Sequence, residues 1–102
     1  MTDGADPQRL TMQISVEHLP QRGRFQAIVD GQRCVCDYRL EGSVMQMIHT
    51  EVAPGLEGRG IAAALVRAAL AHAGSSGFKV QPLCSYVHAY MRRHPETRAL
   101  HA

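Results

Sequence analysis

A glycine-rich turn joins a strand pattern to a helix pattern near the middle of the chain. Val52 ends a run of β-type residues, glycines follow at Gly55, Gly58 and Gly60, and an alanine-rich stretch begins at Ile61. Glycine lets the backbone approach a ligand closely because it has no Cβ. The first turn of a helix presents N–H groups that have no partner within the helix. The segment is therefore typical of either a phosphate-binding loop or a tight turn into a helix.

The order of residues in this turn does not fit two common phosphate-binding motifs. The P-loop ends in Gly-Lys followed by Ser or Thr, whereas this turn reads Gly58-Arg59-Gly60-Ile61. The dinucleotide-binding motif Gly-x-Gly-x-x-Gly follows the first strand of a parallel series. Here Gly58-x-Gly60 is followed by Ala63, and hairpins are predicted before it. Both classes of nucleotide-binding fold are therefore disfavoured.

The residues before the turn alternate between apolar and polar with a period of two, which predicts strands. Asp30-Gly31 is typical of a tight hairpin turn, since both residues tolerate a positive φ. Cys34, Cys36, Tyr38 and Leu40 should share one face of the third strand. Strands are predicted over residues 12–17, 24–30, 34–41 and 44–52, which together form an antiparallel meander.

The residues after the turn change to helical spacing. A helix is predicted from Ile61 to His72 with Gly74 as its C-cap, followed by a loop over 75–77. A short fifth strand over 78–84 and a helix over 87–93 complete the chain, the helix ending before Pro95. The fold class is therefore α+β, a meander followed by strand, helix, strand and helix. The fourth and fifth strands should be parallel, joined by a right-handed crossover.

Composition narrows the class of protein. The 102 residues suit one domain, which we expect to span residues 11–96 between a flexible tail over 1–10 and a frayed end over 97–102. The formal net charge of +2 is too small to favour nucleic acid as a partner. No apolar run reaches the ~20 residues of a membrane span, and the polar start lacks the features of a signal peptide. We therefore expect a cytoplasmic protein without a membrane partner.

Three cysteines, Cys34, Cys36 and Cys84, favour a reducing compartment over a disulfide framework. Cys34 and Cys36 share a strand face with Tyr38 and Leu40, which favours a place in the core. No third and fourth ligand follow at the spacing of a zinc site. No metal site is therefore predicted.

The segment Glu57-Gly58-Arg59-Gly60-Ile61-Ala62 resembles the acetyl-CoA pyrophosphate loop of the GNAT N-acetyltransferase superfamily. That loop usually reads Arg or Gln, two residues, Gly, one residue, and Gly or Ala. Gly60 and Ala62 match it, whereas Glu57 departs from Arg or Gln. Together with residues 49–52, 82–87, Tyr90 and 94–96, the resemblance extends to the minimal members of the superfamily, the NATD1-like and YjdJ-like group. It covers residues 25–96.

This resemblance implies a single GNAT-like domain in which acetyl-CoA lies between splayed fourth and fifth strands. The implied activity is transfer of an acetyl group from acetyl-CoA to an amine, either a small molecule or a protein lysine, by a monomer or weak homodimer. The alternative is a catalytically weak CoA-binding module that acts as a sensor or interaction domain. The predicted cofactor contacts are Val52, Glu57, Gly58, Arg59, Gly60, Ile61, Ala62, Ala63, Ser85, Tyr90 and Arg93.

Four residues are candidates for the chemistry. Cys84 lies between a strand and a helix start, with Ser85 as the expected N-cap, and such a position favours a thiolate. By the resemblance it lies near the thioester, either as an acyl carrier or as part of the pocket wall; the alternative is a core cysteine. His49 and Glu51 share a strand face, and either can act as a general base. Tyr90 either protonates the leaving thiolate or anchors the last helix.

Overall fold

Five strands form one mixed sheet in the computed structural model, which describes residues 14–102. The strands follow one another across the sheet in chain order, with the first four antiparallel and the last two parallel. The predicted α+β class and the parallel fourth and fifth strands are therefore confirmed. The elements are β1 (Glu17–Leu19), β2 (Arg24–Val29), β3 (Gln32–Glu41), β4 (Val44–Glu51), α1 (Ile61–Ser76), β5 (Lys79–Pro82) and α2 (Ser85–Arg93).

The hairpins of the meander match their turn residues. Asp30 and Gly31 have φ values of 51° and 75°, as a tight turn between β2 and β3 requires. β1 differs from the strand predicted over 12–17, since it begins only at Glu17; residues 12 and 13 and the predicted tail over 1–10 lie outside the described residues. The short 3₁₀ turn Pro20–Arg22 places β1 against the start of β2, where the His18 ring stacks on Phe25 with centroids 4.1 Å apart.

The helix α1 ends later than its pattern predicted. Gly74 lies inside the helix, and Gly77, with φ 77°, is the C-cap. The N–H of Phe78 donates to the Ala73 carbonyl at 2.9 Å and that of Gly77 to the Gly74 carbonyl, the hydrogen-bond pair of a Schellman motif. The predicted C-cap at Gly74 and loop over 75–77 are therefore wrong, because the left-handed residue that satisfies the last carbonyls is Gly77.

A β-bulge in β4 decides which side chains reach the core. Asp37 of β3 pairs with His49 and Tyr38 pairs with Met47, so Ile48 has no partner. Met45 and Met47 point into the core, and after the extra residue it is Thr50 that points inward, opposite the buried Cys36. A bulge shifts the alternation of a strand by one residue. Without it, His49 and Glu51 would face the helices.

The core lies between the sheet and α1. It includes Cys34, Cys36 and Tyr38 of β3, as the strand pattern indicated. Leu40 lies opposite the buried Met45 but keeps 45% of its surface exposed at the end of the strand. Leu40 therefore lies on the same face of β3 as the three buried residues but is itself exposed.

β4 and β5 separate in the direction of their carboxyl ends. Their last paired residues are Met47 and Pro82, beyond which β4 continues to Glu51. The Met47 carbonyl accepts hydrogen bonds from the N–H groups of Leu83 and Cys84, at 3.0 and 2.9 Å, and the chain then turns into α2. β5 is therefore shorter than predicted, and the two strands splay as expected.

The C-terminal residues are packed rather than frayed. Residues Pro95–Leu100 form a 3₁₀ helix in which Thr97 is buried and its hydroxyl donates to the His94 carbonyl at 2.7 Å. The N–H of Ala102 donates to the Val80 carbonyl at 2.8 Å, so the chain end covers the free edge of β5. Among the described helices, none is long and apolar enough to cross a bilayer.

Candidate functional site

A cavity of about 400 Å³ opens where β4 leaves β5. Its walls are the end of β4, the glycine-rich turn, the first turn of α1 and one tyrosine of α2. Seven predicted cofactor contacts line it, namely Val52, Glu57, Gly58, Gly60, Ile61, Ala62 and Ala63. Thr50, Leu56 and Tyr86 complete the wall. These three are not among the predicted contacts, and the orientation of Thr50 depends on the bulge in β4.

The glycine-rich turn adopts a backbone that favours glycine at three positions. Gly55, Gly58 and Gly60 have φ values of 87°, 85° and 82°, in the left-handed region. Gly60 is the N-cap of α1, and its carbonyl accepts a hydrogen bond from the Ala64 N–H at 3.0 Å. No side chain caps the first turn of α1. The N–H groups of that turn are therefore available to an anion, which the helix dipole also favours.

The two charged residues of the turn, Glu57 and Arg59, form hydrogen bonds that stabilise the turn. Glu57 Oε1 accepts a hydrogen bond from the Gly55 N–H at 2.9 Å. Arg59 donates from Nη1 to Asp30 Oδ2 at 2.9 Å and so joins the turn to the β2–β3 hairpin. Arg59 was predicted as a cofactor contact but does not line the cavity. The departure from Arg or Gln at Glu57 thus places a carboxylate that stabilises the turn.

Cys84 lies directly behind the cavity wall. It is the N-cap of α2, where Ser85 had been expected, and its Sγ lies 3.5 Å from the Thr50 hydroxyl. Burial raises the pKa of this thiol, but the interaction with the Thr50 side chain and the nearby N–H groups of Val87 and Tyr86 together outweigh burial and lower the pKa overall. Cys84 therefore favours the thiolate more than an ordinary cysteine does.

The other cysteine beside Thr50 behaves in the opposite way. The Thr50 hydroxyl donates to Cys36 Sγ at 3.9 Å. Cys36 is fully buried, and burial raises its pKa to about 12. It therefore remains a thiol at neutral pH.

His49 and Glu51 share a strand face, as predicted, but that face is the one turned away from the helices. His49 Nε2 lies 3.1 Å from Glu51 Oε1, and the two side chains are 53% and 66% exposed. Neither lines the cavity. The cavity and this imidazole–carboxylate pair thus lie on opposite sides of the end of β4.

Three further candidates on α2 lie outside the cavity wall. Tyr90 is buried, and its ring stacks on His94 with centroids 3.9 Å apart. Ser85 is exposed at the first position of the helix. Arg93 is also exposed, near Tyr86. Burial raises the pKa of Tyr86, while the positive charges of Arg93 and Arg67 act to lower it. The positive charges of Arg93 and Arg67 therefore act on the tyrosine that forms one side of the cavity, although neither arginine lines it.

No group of three or more His, Cys, Asp or Glu residues within residues 14–102 has an arrangement that could hold a metal ion.

The family is decided by comparison with known proteins. A family model described as GCN5-related N-acetyl-transferase matches residues 24–100. The chain belongs to this family. The match includes the glycine-rich turn, both faces of β4, and Cys84. The resemblance given by the turn and the C-terminal motifs is therefore confirmed.

Members of the GCN5-related family from vertebrates are similar to the chain over most of its length. Protein NATD1 of mouse is 35% identical over 85 residues, which are 80% of this chain and 77% of the mouse protein. The human protein of the same name is 34% identical over 85 residues. The Xenopus tropicalis protein is 32% identical over 96 residues, which are 91% of this chain and 85% of the frog protein.

The fold is also similar to that of a solved structure. A GCN5-like protein from Staphylococcus aureus, determined in solution by NMR, superimposes with a TM-score of 0.71. The superposition covers 89% of this chain and 91% of that protein at 19% sequence identity. The likeness confirms the GNAT-like fold of the single domain.

Proposed function

We propose that the protein is an acetyl-CoA-dependent N-acetyltransferase that transfers an acetyl group to a primary amine. The observation that carries the proposal is the cavity between the splayed end of β4, the glycine-rich turn and Tyr86. Its volume of about 400 Å³ lies within the range of small-ligand sites. Membership of the GCN5-related family supports acyl transfer as the reaction class.

The glycine-rich turn is the proposed pyrophosphate site. The uncapped first turn of α1 offers N–H groups, and a Cβ built on Gly58 or on Gly60 meets no atom within 4 Å. The space over these two residues is thus open for phosphate oxygens. The positive charges of Arg93 and Arg67 act on Tyr86 at the cavity wall, and we assign them to the phosphates of CoA.

The gap between β4 and β5 is the proposed site of the pantetheine arm. Beyond Met47 and Pro82 the two strands no longer pair, which leaves main-chain groups near Glu51 and Val52 available to an extended ligand, whereas those of Ala53 bond within the chain. An arm in this gap brings the thioester towards Thr50 and Cys84. The cofactor would then lie on the helix side of β4, and the amine would approach from the open side that carries His49 and Glu51.

The proposal is tested by incubating the protein with acetyl-CoA and measuring thermal stability and intact mass. Binding at a hundredfold excess over Kd stabilises a protein by about 2.7 kcal/mol, which is readily seen in a melting curve. We expect such a shift, together with acetylation of members of a panel of free amines and lysine peptides. A shift without transfer to any amine would identify a CoA-binding module instead. Absence of a shift would contradict both functions.

The imidazole–carboxylate pair gives a separate prediction about catalysis. We expect that replacing His49 or Glu51 with glutamine lowers turnover by about a hundredfold for the residue that acts as the general base. The acidic limb of its pH–rate profile should disappear as well. The affinity for acetyl-CoA should stay unchanged, because neither side chain lines the cavity. Steady-state kinetics across pH and calorimetry provide the two measurements.

Gln46→Ala is the control for this prediction, since Gln46 lies on the same face of β4 but bonds to Gln81. It should keep both turnover and affinity. Wild-type turnover in His49→Gln and Glu51→Gln across the whole pH range would remove the pair from the mechanism.

A further inference from the structure

Thr50 lies between two thiols, of which Cys84 has a lowered pKa and Cys36 a raised one. Its hydroxyl oxygen lies 3.5 Å from Cys84 Sγ and 3.9 Å from Cys36 Sγ. The bulge at Ile48 puts it there, because it turns Thr50 rather than His49 towards the helices. Thr50 also lines the cavity. The three residues form a row that begins in the core at Cys36 and ends beside the cavity at Cys84.

The row can reverse the direction of its hydrogen bonds. When Cys84 is a thiol, its S–H donates to Thr50 Oγ1 and the threonine hydroxyl donates to Cys36 Sγ. A hydroxyl has one hydrogen to donate and can accept two hydrogen bonds. When Cys84 is a thiolate, rotation of the hydroxyl directs its hydrogen to Cys84, and the Cys36 S–H can donate to Thr50 Oγ1. The Cys84 proton passes to solvent in this change, whereas the Thr50 hydroxyl and the Cys36 S–H only rotate, so each polar group keeps a partner.

Cys36 suits the donor role in this reversed arrangement. It is fully buried among the core residues of β3, and a thiol in such surroundings stays protonated at neutral pH. A buried hydroxyl that donates to a charged group contributes more than one that donates to a neutral group. The charge on Cys84 therefore receives a bond from Thr50 at a helix start where the N–H groups of Val87 and Tyr86 also favour the thiolate.

We propose that Thr50 is a positioning residue that stabilises the Cys84 thiolate through a hydrogen bond, with the buried thiol of Cys36 as the donor to Thr50 behind it. The importance of this thiolate for acetyl transfer rests on the proposed function. The hydrogen bond itself does not, because it joins groups of this chain only. Its test can therefore be made without acetyl-CoA.

The test is the pH dependence of Cys84 alkylation by iodoacetamide, followed by peptide mass spectrometry. Thr50→Val keeps the shape of the side chain and removes the hydroxyl, whereas Thr50→Ser keeps the hydroxyl. We expect the midpoint of alkylation in Thr50→Val to rise by about one pH unit, a tenfold slower reaction below the midpoint. Thr50→Ser should keep the wild-type midpoint. A wild-type midpoint in Thr50→Val would overturn the proposal.

Variants of the buried cysteines provide a second measurement. Cys36→Ala removes the donor behind Thr50 and should raise the alkylation midpoint of Cys84 by a smaller amount in the same direction. Cys34→Ala is the matched control, since Cys34 is equally buried but accepts a hydrogen bond from the Ala53 N–H and none from Thr50. Equal midpoints in Cys36→Ala and Cys34→Ala would show that the buried thiol has no part. Failure of acetyl transfer in the wild-type protein would leave all these results unchanged.

Discussion

Replacing Gly60 with valine is expected to weaken acetyl-CoA binding at least tenfold and to leave a folded protein. Gly60 lines the cavity at the start of α1, and a Cβ there would enter the open space that we assign to the pyrophosphate. Its φ of 82° also lies in the region that residues with a Cβ avoid, at a cost of about 1–2 kcal/mol. Steric exclusion of the phosphate and distortion of the N–H groups both reduce binding.

Gly55→Val separates the loss of affinity for acetyl-CoA from the loss of stability that a Cβ causes at a left-handed position. Gly55 lies in the same turn with a φ of 87°, and a Cβ built on it also meets nothing within 4 Å, but it does not line the cavity. Both variants should lose a similar amount of thermal stability, and only Gly60→Val should lose affinity in calorimetry. An unchanged dissociation constant for Gly60→Val would show that the pyrophosphate does not bind at this turn.

The order of strands and helices could be predicted from the sequence because each of these elements is determined by residues that are adjacent in the chain. Alternation of apolar residues, the Asp30-Gly31 turn and the glycines before Ile61 are all visible within a few residues. They place the strands, the hairpin and the start of α1, and with them most of the cavity wall. The glycine-rich turn was informative for the same reason, since its left-handed positions require particular residues.

The facing of the β4 side chains could not be predicted in this way. The bulge at Ile48 depends on how β4 pairs with β3, where Asp37 pairs with His49 and Tyr38 with Met47. No residue type in β4 marks the extra position. The alternation could therefore show that His49 and Glu51 share a face, but not which face. Thr50 was missed as a wall residue for the same reason.

The helix ends show how residue preferences mislead when several candidates are adjacent. Serine is favoured at the N-cap, so Ser85 was expected there, but the Met47 carbonyl binds the N–H groups of Leu83 and Cys84, and α2 begins at Ser85, two residues before the helix predicted over 87–93. Cys84 itself is therefore the N-cap. The N–H groups of the first turn lie near its Sγ and help to lower the pKa of this thiol, as the position before a helix start indicated.

Cys84→Ala is expected to abolish acetylation of the protein and to reduce amine acetylation by two orders of magnitude or more. The wild-type protein, incubated with acetyl-CoA and no amine, should gain about 42 Da on Cys84 as a thioester that hydroxylamine removes. In the step that we propose, the Cys84 thiolate attacks the acetyl carbonyl, the bond to the CoA sulfur breaks, and CoA leaves as a thiolate. The amine then displaces Cys84 and gives its proton to the general base.

Three measurements decide between this role and two others. If Cys84 only borders the thioester, Cys84→Ala keeps most of the activity and the wild-type protein gains no acetyl group. If Cys84 is a core residue, iodoacetamide modifies it no faster than the buried Cys34 and Cys36, and acetyl-CoA does not protect it. The structure disfavours the core role, because a half-buried thiol with a lowered pKa lies 3.5 Å from a residue of the cavity wall. A core cysteine has the environment of Cys36, where burial raises the pKa to about 12.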